Sequence, residues 1–346
     1  MTSHQITDRK REHLAIAGLP DVQMTVSNGL EAICFEPMAL PELNLDEIDT
    51  SVEFLGKTLS LPLMIASMSG GTKESQKLNE QLAVAAQASG IALALGSMRI
   101  ALENPLQRAA FELRSFAPSI PILANIGGAQ LRETDGIKGA LQCVEIAAAD
   151  ALIVHLNPLQ EALQPHGDTR WTGIKDAIAR LVVESPVPVI IKEVGHGIGP
   201  STARALADIG VCYIDVAGAG GTSWAAIETQ RLGSPEAMKL GTPFHNFGIT
   251  LGEALAAFNA DPQLRDALLV IASGGVRSGL DVAKALRMGA HLVSAAVPFL
   301  HAARLGNDAL SDLIAQWHRQ LKICCFVTGS PDIKALKVAP LLRMPG

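Results

Sequence analysis

Val187-Pro188-Val189-Ile190-Ile191-Lys192-Glu193 and, further on, Leu268-Leu269-Val270-Ile271-Ala272-Ser273-Gly274-Gly275 are two of eight short apolar runs that each end in a small or polar residue. Runs of this length and composition predict strands, here near 62–67, 91–96, 121–126, 151–156, 188–193, 213–217, 268–273 and 291–296. Between them the apolar residues fall at helical spacing. Leu78, Leu82, Ala85, Ala86 and Ser89 form one such face, and Ala203, Leu206, Ala207 and Gly210 another, each stopped by a glycine. Eight strand-then-helix units predict a (β/α)8 TIM barrel, whose functional residues belong at the carboxyl ends of the strands.

The remaining organisation follows from that frame. Residues 1–60, with Pro37, Pro41 and an acidic stretch from Glu42 to Asp49, read as an N-terminal extension, and 61–346 as the barrel. The connection after the sixth strand, 218–249, exceeds an ordinary βα loop, which predicts a lid or binding loop. The 346 residues are 48% hydrophobic but only 4% aromatic, so the interior is packed with Ala, Val, Leu and Ile. A net charge of −6 with no dense Lys/Arg block argues against nucleic acid or an anionic membrane as partner. The polar N-terminus is no secretory signal, and no apolar run spans a bilayer. Cys34, Cys143, Cys212, Cys324 and Cys325 show neither a C-x-x-C pair nor regular spacing. They are expected to be buried thiols in a reducing compartment, the cytoplasm.

Chemistry is then sought at the strand ends. Ala217-Gly218-Ala219-Gly220-Gly221-Thr222-Ser223 and Ser273-Gly274-Gly275-Val276-Arg277-Ser278-Gly279 follow the sixth and seventh strands, where barrels commonly hold phosphate. Glycines there let backbone N–H groups converge on phosphate oxygens. Lys192 closes an apolar strand, so it must meet an anion or shift its pKa. It is either a Schiff-base lysine or a cation beside a flavin's N1 and C2 carbonyl. An ion pair with Glu193 is disfavoured, because neighbouring strand residues face opposite sides. His155 and Asn157 share a strand face, and Gln160 and Glu161 follow them, a set whose oxygens suit Mg2+ completed by a substrate's phosphates. Ala66-Ser67-Met68-Ser69-Gly70-Gly71, Gly96-Ser97-Met98-Arg99 and Ala124-Asn125-Ile126-Gly127 end the first three strands with small residues and amides that let a flat ring lie on backbone.

Taken in order, these segments resemble the type 2 isopentenyl-diphosphate isomerases, flavin-dependent (β/α)8 enzymes of isoprenoid synthesis. The likeness runs from Arg9-Lys10 and His13-Leu14 to about Pro298 and includes His155-Leu156-Asn157-Pro158-Leu159-Gln160-Glu161, Lys192-Glu193-Val194-Gly195 and Asp215 to Trp224. It implies FMN against Ala66, Ser67, Met68, Ser97 and Asn125, with Lys192 and Thr222 near the ring and its chain. The phosphate would lie on Gly274, Gly275, Val276, Ala295 and Ala296. Arg9, Lys10, Arg99 and His155 would bind the substrate's diphosphate, Gln160 its hydrocarbon end, and Glu161 with Asn157 a Mg2+ ion. Gln160, Lys192 and His155 would be the catalytic set, and the N-terminal extension would contribute to the substrate site. A homo-oligomer, tetramer or octamer, is also implied. The family's motif after the first strand usually reads Met-Thr-Gly-Gly, whereas Ser69 stands here; either hydroxyl can hydrogen-bond. His196 matches no role and is assigned to the surface.

The mechanism expected of such an enzyme interconverts isopentenyl and dimethylallyl diphosphate by adding a proton at one carbon and removing one from another, with reduced FMN as acid and base. NADPH would supply the reduced cofactor. Two other readings compete. An FMN-dependent 2-hydroxy-acid oxidase or dehydrogenase shares the barrel, the lysine and the phosphate loops, but places a His-Gly-x-Arg group where this chain has Ala217 to Thr222. A flavin-binding scaffold without turnover is the third.

Overall fold

The computed structural model describes residues 3–68 and 73–343. The Ser69-Gly70-Gly71 part of the first strand-end motif lies outside the described residues. Helix α1 (Ser3–Ala17) opens the chain. Strand β1 (Cys34–Phe35) pairs antiparallel with β12 (Leu341–Arg343), joining the two ends of the chain. A hairpin of β2 (Val52–Phe54) and β3 (Lys57–Leu59) follows.

Eight parallel strands then close into a barrel in sequence order: β4 (Leu63–Ile65), β5 (Ala92–Ala94), β6 (Ile122–Gly127), β7 (Ala151–Leu156), β8 (Val189–Glu193), β9 (Tyr213–Asp215), β10 (Leu269–Ala272) and β11 (Leu292–Ala295), which returns to β4. Each lies within its predicted segment or one residue beyond it. Around them stand α2 (Lys73–Ser89), α3 (Arg99–Glu103), α4 (Gly136–Ala147), α5 (Pro158–Leu163), α6 (Ile174–Glu184), α7 (Pro200–Ala207), α8 (Trp224–Leu232), α9 (Pro235–Gly241), α10 (Leu251–Ala260), α11 (Pro262–Ala267), α12 (Gly279–Arg287), α13 (Val297–Leu305), α14 (Asn307–Val327) and α15 (Ile333–Leu336). No described helix is long and apolar enough to cross a membrane.

The strands are apolar on both faces because both are covered. Outward residues such as Ile65, Leu152, Ile191 and Val293 pack under the helices, while Met64, Leu123, Ile153, Ile190, Ile271 and Leu292 fill the interior. Phe54 and Leu59 of the hairpin plug the amino-terminal end of that interior. Side chains alternate along a strand, so two residues beyond each inner hydrocarbon the same face is presented again. There the interior turns polar: Asn125 after Leu123, His155 after Ile153, Lys192 after Ile190, Asp215 after Tyr213, Ser273 after Ile271, Ser294 after Leu292. This layer is the floor of the barrel mouth.

The 218–249 connection, expected as a lid or binding loop, is built on two helices, α8 and α9, each begun by a serine that caps it (Ser223 to Ala226 N, Ser234 to Ala237 N), with left-handed Gly233 between them, and its first residues line the barrel mouth. Two expectations need correction. His196 is not at the surface: only 6% of it is exposed, and its Nδ1 lies 2.8 Å from Phe247 O. All five thiols are free, and Cys143, Cys324 and Cys325 are buried, but Cys212 is exposed and Cys34 half-buried.

Candidate active site

The mouth opens into a cavity of about 240 Å³, lined by every residue to which the sequence resemblance gave a cofactor, substrate, metal or catalytic role. From α1 come Arg9 and Lys10, and from the ends of β4, β5 and β6 come Ala66, Ser67, Met68, Ser97, Arg99 and Asn125. His155, Asn157, Gln160 and Glu161 follow β7, Lys192 ends β8, and Thr222 follows β9. Gly274, Gly275 and Val276 follow β10, with Ala295 and Ala296 at the end of β11. Helix α1 reaches across the mouth. Lys10 Nζ donates to Ser97 O at 2.6 Å, Arg9 Nη1 to Gln164 Oε1 at 3.2 Å, and Arg304 Nη2 to Leu14 O at 2.6 Å.

His155 is oriented by a hydrogen-bonded chain. Asn125 Nδ2 donates to Ser67 Oγ at 2.8 Å, which leaves its Oδ1 to accept from His155 Nδ1 at 2.8 Å. The ring proton therefore sits on Nδ1, and Nε2 keeps its lone pair. Burial, followed by the charges of Lys192 and Lys10, pushes this histidine down to about 3. Lys10 is itself pushed down to about 7, by burial and then by Arg9.

Lys192 Nζ donates to Glu193 O at 2.5 Å and does not meet the Glu193 carboxylate. That carboxylate faces the other way, as strand alternation requires, and accepts from the backbone N–H groups of Val194, Gly195, His196 and Gly197 at 2.5–3.2 Å. This nest compensates a fully buried acid whose pKa burial raises. Asp215 pairs with Lys192 in the β8–β9 register and accepts from Ser273 Oγ; burial raises it, and its Oδ2 has no hydrogen-bond partner among the described residues.

After β7 a second network forms. Asn157 Nδ2 donates to Gln160 Oε1 at 3.0 Å and to Glu161 Oε1 at 2.9 Å. Glu161 Oε2 accepts from Asp168 N at 2.7 Å and from Gln164 Nε2. Gln160 Nε2 donates to Glu228 Oε1 at 2.9 Å, so both ends of the Gln160 amide are assigned. Glu228 was not foreseen. It lies on α8 with no exposed surface, 2.9 Å from His13 Nε2, and its Oε2 accepts from Arg231 Nε at 2.8 Å. Burial favours its neutral form, but His13, Gln160 and Arg231 outweigh it and hold the carboxyl at about 2. His13 stands edge-on to Trp224 with centroids 5.1 Å apart. The one available signal was an acid inside the apolar helical run Trp224-Ala225-Ala226-Ile227. Arg99, in contrast, faces three carboxylates, Glu103 at 2.8 Å and Glu133 and Asp168 both at 3.9 Å.

The glycine loops do more than expected. A Cβ on Gly274 would stand 2.0 Å from Gly218 O, one on Gly221 2.6 Å from Gly275 N, and one on Gly275 2.3 Å from Gly220 O. The loops after β9 and β10 thus lie backbone against backbone, and this contact already demands glycine. The result is a stretch of wall without side chains, on which a flat ring and a phosphate would fit, and Ser67, Asn125 and Lys192 line the same cavity. Among the described residues no group of three His, Cys, Asp or Glu side chains is arranged to hold a metal ion by itself. Glu161 with the Asn157 oxygen suits an ion that draws the rest of its shell from phosphate and water.

The sequence matches the FMN-dependent dehydrogenase family over residues 23–114 and 146–343. It is 45% identical over 346 residues to the isopentenyl-diphosphate delta-isomerase of Cronobacter sakazakii, covering 99% of both chains. The enzyme of that name from Stutzerimonas stutzeri is 45% identical over 349 residues, again with 99% of each covered. That of Nostoc sp. is 42% identical over 336 residues, 97% of this chain and 95% of the relative. Among solved structures, a mandelate oxidase mutant with (S)-mandelic acid superposes with a TM-score of 0.65 at 16% identity, covering 99% of this chain and 97% of the other. Another with the monooxide FMN adduct gives 0.63 at 17%, covering 96% and 92%. At such identity the likeness is one of fold.

Proposed function

The chain belongs to the FMN-dependent dehydrogenase family and, at 42–45% identity over nearly its whole length, to the isopentenyl-diphosphate delta-isomerases, and from that premise we propose that it interconverts isopentenyl and dimethylallyl diphosphate. The residues at the strand ends would hold FMN in the barrel mouth, and Glu161 with Asn157 would hold Mg2+, which would neutralise charge on the diphosphate. One observation carries this reading: a single cavity joins the α1 cations, the Asn157–Gln160–Glu161 cluster and the Lys192 strand end with its glycine wall.

Reduced FMN, when bound, supplies an acid–base group and an electron-rich face for the cationic carbon that alkene protonation creates. The protein's part is to hold, orient and exclude. Lys192, fixed by Glu193 O, would offer the flavin ring a cationic donor from the floor of the mouth. Gln160, held at both ends by Asn157 and Glu228, presents a rigid amide to the hydrocarbon end. Arg9, Lys10 and His155 surround the diphosphate. His155 starts neutral; the phosphate oxygens raise its basicity, so it takes up a proton and turns Nε2 into a donor. Arg99 joins by exchanging its carboxylate partners for phosphate. Residues 1–60 contribute through α1, which covers the site and excludes water.

The same reading includes NADPH as reductant, a cytoplasmic location and a homo-oligomer, tetramer or octamer. A 2-hydroxy-acid oxidation is not favoured, since Ala217 to Thr222 offer neither base nor arginine where that chemistry needs them. The test is anaerobic incubation with FMN, NADPH, Mg2+ and isopentenyl diphosphate. Dimethylallyl diphosphate should form, and should not form when the reductant is omitted. Bleaching of bound FMN by lactate without isomerisation, or failure to bind FMN, would overturn the proposal.

A further inference from the structure

Between α1 and β1 the chain runs antiparallel along the loop after β9. Gln23 bridges Thr222, Met24 N donates to Gly221 O at 2.7 Å, and Ser223 N donates to Val22 O at 2.8 Å. Within this strap the Gln23 carboxamide is used at both ends. Its Oε1 accepts from Thr222 Oγ1 at 3.2 Å and from Arg277 Nη2 at 3.0 Å. Its Nε2 donates to Ala17 O at 3.2 Å, the last residue of α1, and to Leu19 O at 3.4 Å just past it. One side chain therefore touches both walls of the cofactor half and the helix that carries Arg9, Lys10 and His13. The neighbouring Asn28 binds Gly275 O at 2.8 Å, so the strap is anchored to the glycine wall independently of Gln23.

We propose that Gln23 is a positioning residue that couples occupancy of the flavin half of the cavity to the order of the substrate-binding helix α1. Cofactor seated on Gly274, Gly275 and Val276 fixes Thr222 and Arg277, these fix the Gln23 oxygen, and the amide nitrogen holds the end of α1. By reciprocity, a diphosphate bound to α1 tightens the flavin. The inference rests on FMN and diphosphate sharing this cavity.

Amide hydrogen exchange over residues 8–17 of the full-length protein, with and without FMN, tests it. FMN affinity is measured separately by flavin fluorescence. In the unaltered protein FMN should slow exchange of α1 by about fivefold, the scale of one net hydrogen bond. Gln23→Glu keeps the acceptor for Thr222 and Arg277 but loses the donors to Ala17 O and Leu19 O. It should bind FMN as the parent does, lose the FMN-dependent protection, and show KM for isopentenyl diphosphate raised about fivefold with kcat within about twofold. Gln23→Ala should lose the protection and also bind FMN more weakly. If Gln23→Ala does not fold, the near-isosteric Gln23→Glu decides. Protection of α1 that persists in Gln23→Glu, or that is missing from the unaltered protein although it binds FMN and turns over, overturns the coupling alone. Absence of FMN binding by the unaltered protein overturns the functional reading instead.

Discussion

Glu228 is the acid on which Gln160, His13 and Arg231 converge, and its charge has a measurable worth. The carboxyl has no exposed surface and is held at about 2, against an ordinary 4.5. That difference of about 2.5 units, at 1.36 kcal/mol each, corresponds to about 3 kcal/mol of stability. Because the folded-state value is the lower one, the contribution is complete above pH 4.5 and is lost as pH falls through about 2. Roughly half should survive at pH 3. Glu228→Gln keeps the volume and removes the charge, leaving Arg231, among the described residues, with only Glu12, 3.5 Å away and half-exposed. The introduced carbonyl oxygen can still accept from Gln160 Nε2, but the NH2 then faces the Arg231 guanidinium, donor against donor. Urea unfolding of the flavin-free protein should show the variant about 3 kcal/mol less stable at pH 7, with the gap shrinking to about half by pH 3. A gap under about 1 kcal/mol at pH 7, or one that does not change between pH 5 and pH 3, would refute the assignment of His13, Gln160 and Arg231 as the groups that stabilise an ionised Glu228.

Three further outcomes are expected. In the free protein the His155 ring should be neutral from pH 5 to 8 with its proton on Nδ1, visible in its 15N shifts, and inorganic diphosphate should bind with proton uptake; a ring titrating near 6.5 without ligand would contradict this. Lys10 loses its charge as pH rises through about 7, so kcat/KM should fall about tenfold per pH unit above that point, and Lys10→Arg should flatten the descent. A profile already flat from pH 7 to 9 in the unaltered protein argues against Lys10 as a diphosphate ligand. Glu161→Gln should raise the Mg2+ concentration for half-maximal activity by about tenfold or more while FMN affinity stays put; equal Mg2+ demand in the variant would remove Glu161 from the metal site.

The barrel was legible because its strands are bounded by both period and punctuation, and alternation then assigns each side chain a face. That rule reaches further than the strands themselves. Leu123, Ile153 and Ile190 point inward, so Asn125, His155 and Lys192 must do so one layer higher, and Lys192 must turn its back on the Glu193 carboxylate. The same rule applies to Asp215 and Ser294, yet nothing in their own strands distinguishes them, since a lone acid or serine ends many strands. What stayed hidden was set by partners distant along the chain. Glu228 acquires its meaning from His13 and Gln160, His196 is buried because Phe247 supplies an acceptor, and Gln23 matters because Thr222, Arg277 and Ala17 converge on it. Gly220 and Gly275 illustrate the limit. Their pattern fits a phosphate loop, but a Cβ at Gly220 would first strike Asn28 of the strap, 2.3 Å away, and one at Gly275 the neighbouring loop. Glycine is therefore required there by protein packing before any ligand arrives, so substituting Gly220 reports on the strap, and only residues facing the cavity report on the flavin.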